Sequence, residues 1–194
     1  MKNIYDCVNA FKSLLNIEYK VILGRKSKLV KLHIVFDKTD CFHLMGLQYL
    51  KDRPNLKTSR GKIFNQIESR TIKKEYIESS DFYSKIYSRI ELLPMLENIL
   101  DSNRTVFKYN GNKYSKIEAD YLLTNDIMKE TVFVFLSENK DDKYFCRSFF
   151  PQEGMDYAKG QTSWTMLYKS KINKLTGKTE VLYDSGKLDD DEKL

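Results

Sequence analysis

Apolar residues recur at helical spacing in Ile4, Val8, Phe11 and Leu15, so residues Ile4 to Asn16 are expected to form an amphipathic helix. Glu18–Leu23 and Leu29–Phe36 then alternate at a period of two around Gly24-Arg-Lys-Ser-Lys28, the pattern of a β-hairpin with a basic loop. His33 falls in its second strand beside Leu29, Lys31 and Val35, where a histidine without a chemical role is expected. The stretch from Asp40 to Asp52 is apolar nearly all round, with Phe42, Met45 and Tyr49 on one side and Leu44, Leu47 and Leu50 over most of the rest. A helix of that kind is expected to be buried among other elements, with Asp40 as its N-cap. It carries one imidazole, His43, and one glycine, Gly46, a turn apart. Glycine inside a helix costs about 1 kcal/mol relative to alanine, so a close backbone approach is expected at that face.

Beyond the polar break Asp52-Arg-Pro-Asn55, Ser59 is placed to cap a short helix carrying Ile63, Phe64 and Ile67, and Thr71 to cap another. Ser79 or Ser80 is expected to open a longer helix through Phe82, Ile86, Ile90 and Leu93, which Pro94 stops or kinks before Met95–Leu100. From Arg104 the period changes to two. Strands are expected at Thr105–Tyr109, from Tyr114, at Ile117–Leu123, Thr131–Ser137, Lys143–Phe150, Trp164–Lys169 and Glu180–Tyr183, with Asn110-Gly-Asn as a tight hairpin turn. Short connections imply an antiparallel meander. The expected fold class is therefore α+β: an N-terminal helix and hairpin, then central helices packed on a C-terminal antiparallel sheet. Residues 1–184 read as a single domain and 185–194 as a disordered acidic tail.

Composition narrows the function classes. Charged residues are 31% and hydrophobic residues 41% of 194, as in a soluble globular protein. No apolar run approaches the ~20 residues of a membrane span, and the amino terminus lacks the apolar stretch of a secretion signal, so a cytoplasmic protein without membrane contact is expected. Cys7, Cys41 and Cys146 are widely spaced and odd in number, which favours reduced thiols over a disulfide framework or a zinc site. The formal charge is +6, and Asp184–Leu194 holds five acids against two lysines, so the body is more basic than the whole. Lys57, Arg60, Lys62, Arg70, Lys73 and Lys74 concentrate that charge in one quarter of the chain. A basic body suits a polyanionic partner.

Walker loops, G-x-G-x-x-G, G-x-S-x-G and H-E-x-x-H are all absent from the sequence. Two histidines and scattered cysteines do not make a protein-ligated zinc site, and no metal or cofactor is expected. Metal-free RNA cleavage needs a base for the 2′-hydroxyl, an acid for the leaving 5′-oxygen and cations around the phosphate. His43 is the one centrally placed group suited to acid–base work near neutrality. Donors are expected from the strand bearing Arg147 and Ser148, and from Tyr157, Lys159, Gln161 and Thr165 in the following loop and strand. Strict alternation lets only one of Arg147 and Ser148 face a given site; Ser148 is favoured because Phe145 and Phe149 read as the core side.

Several segments occur in this order in a known group: Phe42-His-Leu-x-Gly-Leu-x-Tyr-Leu-Lys-Asp52, Ser88-Arg-Ile90, Ala119-Asp-Tyr-Leu-Leu123, Ser148-Phe-Phe150, Asp156-Tyr-x-x-x-Gln161 and Leu167-Tyr-Lys-x-Lys171. Together they resemble the phage Barnase–EndoU–colicin–RelE-like nuclease (PBECR) family, particularly a branch from mobile elements of Firmicutes, across about residues 3–184. The resemblance implies a small α+β nuclease fold and metal-independent ribonuclease activity, with the site on the sheet beside a helix. By position, His43, Arg89, Asp120, Ser148 and Gln161 fall in the matching motifs. Arg89 is expected to clamp phosphate, His43 to act as acid or base, and Asp120 to orient the histidine or cap the sheet edge.

The expected function is a toxin-like endoribonuclease of a phage or mobile element, cutting RNA to a 2′,3′-cyclic phosphate. RNA is the expected partner, with an antitoxin or host protein as a further one. The sequence shows no second acid–base group, which keeps a rival in view: a non-catalytic phage accessory protein that binds nucleic acid or a host protein on a nuclease-like scaffold.

Overall fold

Asn3 starts the chain's first helix by accepting the Tyr5 amide (2.8 Å), while Asp6 accepts the Asn3 amide (2.9 Å). That capping box opens α1 (Ile4–Leu14), which buries Ile4, Cys7, Val8, Phe11 and Leu14 as its period predicts. A two-residue turn with positive φ at both Lys26 (46°) and Ser27 (63°) joins β1 (Ile17–Arg25) to β2 (Lys28–Ile34), antiparallel as expected. The computed structural model describes residues 1–111, 115–127 and 130–193. Short helices follow: α2 (Lys38–Leu44), α3 (Arg60–Glu68), α4 (Lys74–Glu78), α5 (Tyr87–Leu92) and α6 (Leu96–Ser102). Single 3-10 turns at Leu47–Tyr49, Pro54–Leu56, Tyr83–Lys85 and Leu93–Met95 separate several of them. The long helix expected from Ser79 or Ser80 to Leu93 is thus one 3-10 turn and then α5.

The remaining strands are β3 (Thr105–Lys108), β4 (Tyr121–Ile127), β5 (Glu130–Glu138), β6 (Tyr144–Pro151), β7 (Thr162–Asn173) and β8 (Thr179–Asp184). Among the described residues they do not form an open meander. Their order is β1-β2-β6-β5-β4-β3-β7-β8, and β7 also pairs with β1. The first seven strands therefore close into a barrel, with β8 an extra strand on β7. The expectation of helices packed on a C-terminal antiparallel sheet is corrected by this closure. Its physical reason is the length of β7: one edge pairs with β1 from Thr165 to Asn173, and the other pairs first with β3 and then with β8. The ring's seam is slight, a parallel contact of β2 with β6 at Ile34 and Tyr144, extended by the Val35 amide donating to the Tyr144 carbonyl (2.9 Å).

The tight turn expected at Asn110-Gly-Asn is not what joins β3 to β4, because Lys108 pairs with Tyr121 after a longer connection. The strand start expected at Tyr114 lies outside the described residues. One face of the seven strands, including Tyr19, Leu32, Tyr144, Val134, Leu123, Val106 and Met166, shares a continuous core with the helices. The opposite face carries two smaller clusters, one around Phe133 and Phe135 and one of Ile22, Tyr168 and Leu188. Beyond β8, Leu188 is 8% exposed, and Lys193 of α7 (Asp190–Lys193) pairs with Asp184 (3.0 Å). The three cysteines are free and buried. No helix among the described residues is long and apolar enough to cross a membrane.

A polar network ties α6 to the barrel. Asp101 accepts the Tyr19 hydroxyl (2.6 Å) and pairs with Lys171 (2.8 Å). Lys169 is 1% exposed, and its ammonium donates to the Asn103 and Asp101 carbonyls at the end of α6 (2.8 and 3.3 Å). Burial, reinforced by Arg104, pulls its pKa down to about 7 from the ordinary 10.5. Between those pH values the unfolded chain holds a proton that the folded chain has released, so raising the pH favours folding. The Tm of the wild type is therefore expected to climb relative to that of Lys169→Met from about pH 7 upward. Paired thermal melts across that range check it, and parallel curves would contradict it.

Candidate functional site

Asp37, not Asp40, caps α2. It accepts the Thr39 amide (2.9 Å), and Asp40 completes the box by accepting the Asp37 amide (2.9 Å). The helix ends at Leu44, so the single helix expected through Leu50 is broken at Gly46, whose φ of +78° lies in the left-handed region. The close approach expected at Gly46 is present. A Cβ there would sit 2.9 Å from both Arg89 Cδ and Ile86 Cγ2. The glycine therefore turns the chain out of α2 and lets α5 press Arg89 against it.

Arg89 is 8% exposed. Its Nη1 donates to the Phe149 carbonyl on β6 (2.7 Å), and its guanidinium lies over the rings of Phe150 (5.0 Å) and Tyr49 (5.6 Å). Burial pulls its pKa below the ordinary value, while Tyr49 and Glu153 oppose that shift; a guanidinium stays charged regardless. Among the described residues it has no carboxylate within salt-bridge distance. A buried cation with one carbonyl and two rings for company is the arrangement of a site that awaits an anion or a polar ligand.

A β-bulge shapes the strand opposite. Phe135 pairs with Ser148 but Leu136 with Cys146, leaving Arg147 as the extra residue. Cys146 and Phe149 consequently both face the core, whereas Phe145 does not, and Arg147 and Ser148 both turn outward. The alternation that allowed only one of them into the site is broken here. Both line a cavity of about 310 Å³ together with His43, Gln48, Tyr49, Arg60, Lys116 and Glu118. The half-buried His43 ring is held below its ordinary pKa of 6.5 by burial and then by the nearby Arg60 and Arg147, with the neighbouring Gln48 opposing the shift. At neutral pH it is a neutral base.

A second cavity of about 350 Å³ adjoins the first through Tyr49, Lys116, Ile117 and Ser148, and is lined further by Arg89, Lys85, Ser88, Phe150, Glu153 and Tyr157. His43, Arg89, Ser148 and Tyr157 are thus brought together. Gln161 is not with them: its amide oxygen accepts the Asn110 amide (2.9 Å) and its nitrogen donates to the Asn110 carbonyl (3.1 Å). Asp120 accepts the Glu138 amide (3.0 Å) and pairs with Lys108 (3.5 Å), just before β4 and not at the imidazole. Lys159 and Thr165 are exposed and line neither cavity. Arg60, Tyr49, Lys116 and Glu118 were not singled out as site residues by sequence. Arg60 carries a signal in its place in the basic quarter, and Tyr49 in its place in the matching Phe42–Asp52 segment; Lys116 and Glu118 are brought in by the fold alone. Among the described residues no group of three or more His, Cys, Asp or Glu is placed to hold a metal ion.

Residues 3–186 match the model of the phage-Barnase-EndoU-ColicinE5/D-RelE like nuclease 4 family, PBECR4. The chain belongs to this family. No curated protein and no solved structure matches it significantly. In this PBECR4 family member, Gly46 is the residue on which the placement of Arg89 rests. Gly46→Ala forces a left-handed φ on a residue with a Cβ and collides with Arg89 and Ile86. It is expected to destabilise the fold by about 1–3 kcal/mol, read as a lower denaturant midpoint at unchanged m-value.

Proposed function

We propose that this PBECR4 nuclease is an endoribonuclease that works by acid–base chemistry at His43. The observation that carries the reading is an imidazole kept neutral inside a cavity whose other walls present Arg60, Lys116 and Arg147. Neutral His43 takes the proton of a ribose 2′-hydroxyl. The 2′-oxygen forms a bond to the adjacent phosphorus as the bond to the 5′-oxygen breaks, giving a 2′,3′-cyclic phosphate. The leaving oxygen needs a proton, and the Tyr49 hydroxyl in the same cavity carries one. Arg60, Lys116 and Arg147 meet the charge that builds on the phosphate, with the Ser148 hydroxyl as a further donor. Arg89 and Tyr157, in the adjoining cavity, hold the neighbouring nucleotide by its phosphate. A toxin role accords with the phage nuclease family and calls for a host-growth assay on expression.

Labelled total RNA incubated with excess EDTA tests the chemistry. Wild type is expected to cut, and His43→Ala to be slower by about 10²–10⁴-fold with its circular dichroism unchanged. RNA left intact by folded, RNA-bound wild type would sink the proposal and favour the non-catalytic binder. Glu118→Gln is expected to retain cleavage and Tyr49→Phe to lose it; the reverse would give the proton-donor role to Glu118.

The pH profile follows from the direction of the His43 shift. Since the base form is required and its pKa is lowered, activity is expected to persist below pH 6.5 and fall only as the ring becomes protonated. Arg60→Gln removes one of the charges that lower this pKa, so the acid limb of kcat/KM is expected to move to higher pH. An unmoved limb would detach it from His43.

A further inference from the structure

Next to the His43 cavity, sharing Gln48 with it, lies a cavity of about 270 Å³ that the proposed chemistry does not use. Phe42, Leu47, Leu50 and Leu56 give it apolar walls, and Lys51 and Lys57 stand at its rim. Arg53 lines it with a guanidinium that is already fixed. Its Nη1 pairs with Asp52 (3.2 Å), its Nη2 donates to Ser79 Oγ (3.0 Å), and its carbon lies 5.1 Å from the Tyr76 ring centroid. Its Nε–H takes part in none of these contacts. That atom is buried without a partner, and so is Gln48 Oε1. One donor and one acceptor, both orphaned and both on side chains lining the same small cavity, form a pair that native proteins ordinarily satisfy.

We infer that this cavity is a nucleobase subsite, holding one unstacked base of a single-stranded RNA beside the His43 centre. Resting on the ribonuclease reading above, the inference adds the form of the substrate and a determinant of its recognition. A base offers flat apolar faces to Phe42 and the leucines, and an edge with an acceptor next to a donor for Arg53 and Gln48. The rim lysines then meet the flanking phosphates; among the described residues neither is in an ion pair. From Lys57 the surface continues into a further cavity with Lys62, extending the path for the strand. A base inside a duplex is stacked and its edge is paired, so it cannot enter.

The test uses strands that cannot be cut and that slide freely into register: a fluorescein-labelled octamer of abasic spacers, with or without one central 2′-O-methyl nucleotide. In wild type the single base is expected to tighten binding about tenfold over the all-abasic strand. That gain is expected to vanish in Arg53→Lys, which keeps the charge but has no Nε–H, and in Gln48→Leu, which leaves the ties of Arg53 untouched. Circular dichroism confirms that both variants are folded. No gain in wild type, or an equal gain in both variants, overturns the subsite. A fully based 2′-O-methyl octamer separates this from failure of the ribonuclease reading. If it binds while the single base adds nothing, only the subsite falls; if it does not bind, both fall. Equal affinity for the same octamer in a duplex also overturns the inference.

Discussion

The backbone of β7 is the constraint on which the rest of the structure depends. A strand with partners on both edges satisfies its amides and carbonyls inside the sheet, and β7 does so against β1 on one side and β3 and β8 on the other. Without the β1 pairing the sheet would open at its narrow β2–β6 seam and leave long edges bare, a liability for any sheet. Closure also explains why buried polar groups gather along β7. Lys169 and Ser170 are buried on it, and Lys169 and Lys171 reach α6 through Asp101, Asn103 and Glu97. The N-terminal hairpin and the C-terminal strands become one body through these bonds.

Given that body, the site depends on three departures from regular structure. Gly46 breaks α2 after His43, the bulge at Arg147 turns two successive β6 residues outward, and Arg89 bridges α5 to the Phe149 carbonyl on β6. Each has a cost: a left-handed backbone, a disrupted ladder and a desolvated guanidinium. The costs fall in one place. Arg89 presses on Gly46 and is held by the residue next to Phe150 on the bulged strand, so the strained elements support one another and fix the imidazole relative to its cations. Strain concentrated at one cleft and relaxed elsewhere is what a preorganised site requires.

How much of this was legible in the sequence follows from the range of each interaction. Local rules located α1, the basic hairpin, the Ser59 start of α3 and nearly every strand, because caps and alternation are properties of neighbours. His43, Arg89, Ser148 and Tyr157 were found by chemistry and by resemblance, and they line two adjoining cavities. Barrel closure was not legible, since it hangs on β7 continuing through Ser170, Lys171 and Asn173, residues without strand character of their own. Nor was the bulge: the Tyr144–Pro151 stretch reads as simple alternation, and only the partner strand's register reveals the extra residue. Gln161 and Asp120 share motifs with the site residues, yet their side chains serve backbone groups at Asn110 and Glu138. A motif match cannot separate those two uses.

The charge distribution decides what the basic composition means. Net charge alone does not distinguish a solvated surface from a binding face; where the unpaired cations gather is the finer observation. Away from the cleft, some lysines are matched, Lys12 with Glu68, Lys171 with Glu97 and Asp101, Lys193 with Asp184 and Asp190, while others such as Lys26, Lys28 and Lys31 stand in no ion pair among the described residues. Along the linked cavities such unpaired cations gather: among the described residues Lys57, Arg60, Lys62, Lys85, Lys116 and Arg147 stand in no ion pair. Arg53 is paired, yet its buried Nε–H is without a partner. Unpaired cations along a cleft sustain a positive potential that focused field lines strengthen. That potential adds to the burial that lowers the His43 pKa, and it would equally favour a phosphate backbone, so on the proposed reading substrate attraction and the protonation state of the base share an electrostatic source.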